Sequence, residues 1–372
     1  MEDANNKISG FQLYIITFFL MGSLFVGFGI ISMFTLAERD VWVSVLLSFI
    51  TCIIPLLLFI YYINYEPDKN IFDKNKSLFG KWIGTIVNVI FCAFVFLLIL
   101  LVLWNSNGLV ITMYLTKTPP YFIIGIFVLA AIYANIKGIE AIARTSEIMF
   151  FISLIINTII IISLGTQLNL DYFKPVLTGG FKEEIRHSLN FTSYLITPLI
   201  MIAAIPKKNI IKNKRYNRYL AAGVFAGIIK IGLTFVLIVG SVSPEIATFY
   251  RFPAYYALRK ISIGGAINNL ENFLALHWFL NTFMLIMMGI YFLNSFTSNL
   301  FKTNSKKANY ISLLVIGIVA VYFSIHIFGN TVDSIEFAKK QFPVIISLTL
   351  LILMFIISIA IFIKKVRKSL KT

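Results

Sequence analysis

Charge is what this chain has least of. Charged residues make up 13% of its 372, about half the usual share of a soluble domain. Acids are scarcer still, 16 Asp and Glu against 32 Lys and Arg. There are 3 His and 2 Cys. Each shortage excludes something. Cys52 and Cys92 both fall in apolar runs, so they read as small core residues rather than as a disulfide or metal pair. His187, His277 and His326 are far apart and have no carboxylates at helical spacing, which leaves no metal site. No nucleophile with a base nearby, no Gly-rich phosphate loop and no cofactor motif is present. We therefore expect no catalytic residue, no metal and no cofactor, and do not read the chain as an enzyme. The net charge of +16 comes without an arginine-rich helix or nucleic-acid motif, so no nucleic-acid partner is expected.

What the chain has in excess is apolar length. Hydrophobic residues are 59% of the total, and long apolar runs recur from end to end. This predicts an all-α polytopic membrane protein, one transmembrane domain over residues 1–372. We count ten spans, with boundaries good to a few residues. They fall at about 9–36, 41–64, 80–114, 120–136, 139–163, 186–205, 217–242, 271–300, 308–328 and 342–363. Residues 1–10 are polar and carry two acids and one Lys, which does not fit a cleavable signal. Lys230 aside, 21 of the basic residues fall in or next to connections on the side of the termini and 10 on the other. Both termini are therefore placed in the cytoplasm.

The first span organises the rest. Gly22, Gly27 and Gly29 lie close together at its middle, with Ser23 and Ser32 nearby. Each glycine costs a helix interior about 1 kcal/mol against alanine. Lipid demands an intact hydrogen-bond ladder at that depth, and broken backbone survives only if it is covered by protein or lines a watery cavity. Close packing of helices is the competing reading, since small residues also permit it. The sixth span is interrupted too: Thr192-Ser193-Tyr194 is followed by Thr197-Pro198, and Pro198 removes a backbone donor. Ten spans divide as five plus five, about 9–163 and 186–363. The two breaks then hold corresponding places, the pointer to a midplane site in an inverted-repeat transporter. No internal sequence repeat is clear, so the 5+5 symmetry rests on span count and break position.

Short motifs along nearly the whole chain add to this. They are Ile8-Ser9 with Gln12, Thr116-Lys117-Thr118-Pro119, Gly138-Ile139-Glu140 with Arg144, and Lys174-Pro175 with Gly179-Gly180. Phe252-Pro253, then Arg259 with Ile261 and Ile263, Glu271 and Trp278 complete the set. In these the chain resembles the permease B subunits of spore germination receptors, within the amino acid–polyamine–organocation transporter superfamily. Two features depart from the pattern. Asn268-Asn269 stands before Leu270-Glu271 where an Arg is expected, and the sixth span lacks an acid in its Thr192-Ser193-Tyr194 region. The resemblance implies an amino-acid-transporter-like fold with broken helices 1 and 6. It implies sensing of a small nutrient in the spore inner membrane, beside A-type and C-type receptor subunits.

The candidate ligand-binding residues are Gly22, Ser23 and Gly27 at the first break and Thr192, Ser193, Tyr194, Thr197 and Pro198 at the second. Backbone N–H groups and a half-helix dipole at the first suit a carboxylate. Trp104, heading the polar run Trp104–Gly108, is a wall or an interfacial anchor. Asn281 and Thr282 lie near midplane depth in span 8. Lys230 stands inside span 7, where a lysine costs about 2.5–3.5 kcal/mol to insert. Glu147 is its expected partner, and the pair is a candidate for coupling or gating; snorkelling is the plainer alternative. Glu140 and Arg144 are read as a structural pair. The aromatic connection Ser243–Leu270 is read as a lid or an interfacial belt. The leading functional expectation is a germinant-sensing subunit that binds a small amino acid between helices 1, 3, 6 and 8 and signals to partner subunits. A transporter of amino acid or polyamine coupled to H+ or Na+ is the alternative. A membrane acyl- or lipid-group transferase would need a catalytic cluster that we do not find, and a pore-forming scaffold would need no ligand at all.

Overall fold

In a chain this apolar, backbone polar groups must find partners inside the molecule, and helices supply them locally. The computed structural model describes residues 7–25, 27–211, 213–261, 269–302 and 305–370. Ile263 and Asn268, named above, lie outside the described residues. The described chain is helical throughout apart from its connections. In order these are α1 (Gly10–Gly22), α2 (Phe28–Ala37), α3 (Val41–Thr51), α4 (Ile53–Asn64) and the short polar α5 (Ile71–Phe79). Then come α6 (Lys81–Met113), α7 (Pro120–Lys137), α8 (Ile139–Gly165), α9 (Phe181–Ile196) and α10 (Tyr216–Val242). The short α11 (Pro244–Phe249) and α12 (Pro253–Arg259) lead to α13 (Glu271–Phe301), α14 (Lys306–His326), α15 (Thr331–Glu336) and α16 (Thr349–Ser369).

Eight helical stretches among the described residues are long and apolar enough to cross a membrane, and a shorter apolar one runs from Gly10 to Phe25. The outside of the bundle is greasy. Ile54, Ile126, Ile155 and Ile318 are 67%, 69%, 65% and 68% exposed, which only a lipid surround makes favourable.

Two sets of contacts tie the ends of the helices together. At one face Ile8 pairs with Ile210, its N–H donating to Asn209 O at 2.9 Å. Lys207 N–H donates to Pro67 O there as well, at 2.9 Å. At the opposite face the Asp40 carboxylate accepts from the N–H groups of Leu177 and Thr178, both at 2.9 Å. Arg39 donates there to Glu245 and to the Lys174 carbonyl.

α1 runs through the interior. Ile15, Ile16, Phe19, Leu20 and Met21 are all fully buried. It lies against α10 at small residues: a Cβ on Gly223 would stand 2.7 Å from Thr17 Cβ, so the two backbones approach as close-packed membrane helices do.

Prolines shape three other helices. The bend between α3 and α4 at Cys52 precedes Pro55, which cannot donate to the Thr51 carbonyl. The last crossing starts earlier than the sequence suggests. It is helical from Thr331 and is wound as a π-helix over Phe337–Leu348, with Pro343 inside. A π turn shifts hydrogen-bond partners by one residue and so tolerates a missing donor. The third case, Pro198, belongs to the site.

Candidate functional site

The break in helix 1 is real and local. α1 ends at Gly22, Ser23–Phe25 form one 3₁₀ turn, and α2 begins at Phe28 behind a Gly27 with φ of +70°. That backbone conformation costs an L side chain roughly 1–2 kcal/mol, so glycine is favoured there. The Ser23 hydroxyl is spent on Leu20 O at 2.8 Å, which helps the last turn of α1 to close.

Gly22 makes room for a cation. A Cβ there would stand 2.5 Å from Lys230 Nζ and 2.7 Å from Asn281 Oδ1. Lys230 Nζ donates to Asn281 Oδ1 at 2.8 Å and lies over the Phe18 ring, 4.2 Å from its centroid. It thus meets the C-terminal end of α1, where a helix dipole favours positive charge, and an aromatic face that does the same. The chain of polar contacts continues. Asn281 Nδ2 donates to His277 O at 2.7 Å and faces His277 Nε2 at 3.1 Å. Nε2 therefore accepts, and the ring proton sits on Nδ1, which faces Ser153 Oγ at 3.0 Å. Asn157 Nδ2 donates to the same Ser153 oxygen at 3.3 Å. One buried polar path thus joins α10, α13 and α8.

A cavity of about 40 Å3 opens onto this path. Gly22, Phe25, Asn157, Lys230, Thr234, His277, Trp278 and Asn281 all line it, with Ile, Leu and Ala side chains completing the wall. A water needs about 10–15 Å3 by this measure, so the space takes roughly three water-sized groups.

Above the break the short stretch between α11 and α12 forms a cover. Phe252 is 1% exposed, packs on Trp278 with centroids 5.8 Å apart, and would lie 2.6 Å from a Cβ on Gly27. Arg251 bridges Asn105 Oδ1 at 3.4 Å and Thr331 Oγ1 at 3.2 Å, with no carboxylate partner among the described residues. The aromatic connection is therefore an inward-packed cap over the break at Phe252.

The sequence-predicted set divides. Gly22, Lys230 and Asn281 share the cavity, with Ser23 in the adjoining turn. Gly27 lies on the other side of the break, next to Asn105. Trp104 does not join them: its ring packs on Phe328, centroids 5.7 Å apart. Its neighbour Asn105 is the α6 residue at the break, because one helical step turns a side chain through about 100°. Thr282 is fully buried and spends its hydroxyl on Trp278 O and Phe279 O of its own helix.

The Lys230–Glu147 pairing is not formed. Lys230 lies 14 residues into α10 and Glu147 eight into α8. Both helices start from the same face, so their depths differ by about 9 Å. Asn281, at the lysine's own level, takes Glu147's expected place.

Helix 6 changes winding rather than opening. α9 stops at Ile196, and Thr197–Ala204 continue as 3₁₀ helix. Pro198 has no N–H for the α-type bond to Tyr194 O, and the tighter turn absorbs the loss. Among the described residues this segment and the helix 1 break line different spaces. Tyr194 stacks on Phe342 at 4.8 Å and meets Phe25 and Phe28 edge-on. Its hydroxyl donates to Ala338 O at 2.6 Å and contacts Ser32 Oγ at 3.0 Å. Thr192, Ser193 and Thr197 face the other way, into a groove of about 370 Å3 walled by α3, α4 and the π segment. There Thr192 pairs with Thr51 at 2.6 Å and Thr197 with Ser347 at 3.0 Å. Pro198 is buried and lines neither space. His277, Asn157 and Arg251 were missed; each gains a partner from a distant part of the chain, His277 and Asn157 across α13 and α8 and Arg251 at Asn105 and Thr331.

Comparison with known proteins agrees with this architecture. A sequence profile described as "Spore germination protein" matches residues 7–334. Among relatives in Bacillus subtilis, spore germination protein YndE is 26% identical over 307 residues, covering 80% of this chain and 82% of its own. Spore germination protein A2 is 25% identical over 77% of each chain, and protein KB 27% identical over 88% of each. Among solved structures, a Na+-coupled sialic acid symporter in its outward-open state superposes with a TM-score of 0.66 at 13% identity, covering 91% of this chain and 78% of that one. MhsT in complex with L-phenylalanine gives 0.62 at 17% identity, covering 95% and 97%. At such identities the structures speak for the fold alone: a membrane-transporter fold. With its profile match spanning nearly the whole chain, the protein belongs to the spore-permease family of spore germination proteins.

Proposed function

We propose that this chain is the nutrient-sensing, permease-like subunit of a spore germination receptor, and that a small amino acid binds at the break of helix 1. The observation that carries the reading is the interruption of α1 at Gly22 beside a polar-floored cavity holding Lys230 and Asn281. A buried break with a cation and amide at its edge is the kind of place where membrane proteins hold small polar ligands. The cavity is small and capped by Phe252, which fits a closed state; the ligand would bind a wider state and shift the balance toward it.

In this reading ten crossings form two inverted halves of five. The split α1–α2 counts as the first crossing and α9 with its 3₁₀ extension as the sixth. The termini are cytoplasmic, the membrane is the spore inner membrane, and A-type and C-type subunits receive the signal. The ligand lies on the α8, α10 and α13 side of helix 1, with Asn105 of α6 across the break, rather than against Thr192, Ser193 and Thr197. The purified full chain should bind one or more small amino acids directly, as read by isothermal calorimetry. If none binds and the nutrient is captured only by partner subunits, the reading fails. The second reading, a transporter coupled to H+ or Na+, is favoured by the symporter-like fold. Uptake into proteoliposomes holding this chain alone separates the two: a receptor subunit gives little.

A further inference from the structure

The geometry points to recognition of the ligand's carboxylate by the Lys230 ammonium. The site would then accept small aliphatic carboxylates whether or not they carry an α-amino group. This rests on the functional reading above and names the chemical class its site would take. The argument is one of charge balance. Among the described residues Lys230 is the only charged side chain at the cavity wall, and neither Asp nor Glu lines it. Lys230 makes no ion pair among the described residues; its one hydrogen-bond partner is the neutral Asn281 oxygen. An ammonium has three donors, so two remain for a ligand. A buried cation without a counter-ion is costly, and an anionic ligand supplies the counter-ion.

The rest of the wall limits what else can be read. The Asn281 amide nitrogen is committed to His277, and the Thr234 hydroxyl to Lys230 O. His277 is held with Nε2 accepting from Asn281 and Nδ1 facing Ser153. Nothing on the wall offers a negative charge to a ligand's ammonium, which would also be repelled by Lys230. Asn157 also lines the wall, its amide nitrogen donating to Ser153 Oγ at 3.3 Å; the other side chains there, including Phe25, Ile160, Leu164, Ile231 and Leu237, are apolar and fit a short aliphatic tail. Space for roughly three water-sized groups matches a carboxylate and one carbon; the tail enters as the Phe252 ring moves aside.

The test uses matched compounds on the purified full chain, read by thermal shift and calorimetry. One set is alanine, propionate and ethylamine; the other is valine, isovalerate and isobutylamine. The expected result is binding of the amino acid and its deamino acid with similar affinity, and none of the amine. Lys230→Met should weaken the carboxylates roughly tenfold or more, the scale of a lost charge-assisted hydrogen bond. Should that variant fold poorly, Asn281→Asp gives Lys230 an internal counter-ion and should weaken carboxylate binding equally while keeping the chain folded. Amines binding as well as amino acids, or carboxylate affinity unchanged in both variants, overturns carboxylate recognition and leaves the ligand site standing. No binding by any compound of either set overturns both.

Discussion

Gly22→Ala tests the break with the smallest change available. The methyl would stand 2.5 Å from Lys230 Nζ and 2.7 Å from Asn281 Oδ1. Both are well inside van der Waals contact, and the end of a lysine is the part that can move. Two energies oppose each other. Alanine in place of glycine favours the last turn of α1 by about 1 kcal/mol. Displacing Lys230 from Asn281 forfeits a charge-assisted hydrogen bond of about 1.5–3 kcal/mol and leaves Asn281 Oδ1 short of a donor. The net destabilisation is therefore modest, about 1–2 kcal/mol, and the protein should express and fold. Ligand binding should suffer more, because the methyl also occupies part of a space of only about 40 Å3. Differential scanning fluorimetry would show a small fall in Tm, and calorimetry a loss of affinity of roughly tenfold or more. Wild-type affinity in Gly22→Ala would refute the placement of the ligand at this cavity.

Gly27→Ala should be the more damaging glycine change, because φ of +70° and a Cβ 2.6 Å from Phe252 act together; we expect a loss of about 2 kcal/mol or more in stability, read as a clear drop in Tm. Tyr194→Phe keeps the ring stack on Phe342 but strips the Ala338 carbonyl of its 2.6 Å donor, costing about 1–2 kcal/mol without touching ligand affinity. Lys74 of α5, buried and donating to Ile63 O at 2.7 Å, has its pKa lowered to about 8 by burial. Between that value and the ordinary lysine value the unfolded chain binds the extra proton, so this contribution makes stability rise with pH from about 8 upward. A Tm titration of wild type against Lys74→Met should show that rise only in the wild type.

How much of this could be read from the residues differs by element. The first break was legible because clustered glycines have no ordinary place in a span that lipid surrounds, and Lys230 because a cation there is expensive. The partner of Lys230 was not legible. Asn281 is 51 positions away, and only the packing of α10 on α13 decides that it, rather than Glu147, stands level with the lysine. The walls failed for a rotational reason. Trp104 and Asn105, or Tyr194 and Ser193, are chain neighbours that a helix turns to different sides. Pro198 announced a disturbance in helix 6, but not whether the chain would open or tighten. That depended on Tyr194, Phe342, Phe25 and Phe28 filling the space beside it.

The central claim is that helix 1 is interrupted in order to hold a ligand, and amide hydrogen exchange tests it most directly. In the purified chain the amides of Ser23–Phe25 and Gly27 should exchange much faster than those of Phe18–Met21 within α1. Saturating ligand should slow the break residues selectively. Protection at the break equal to that of the flanking turns, unchanged by any ligand that the chain binds, would contradict the account.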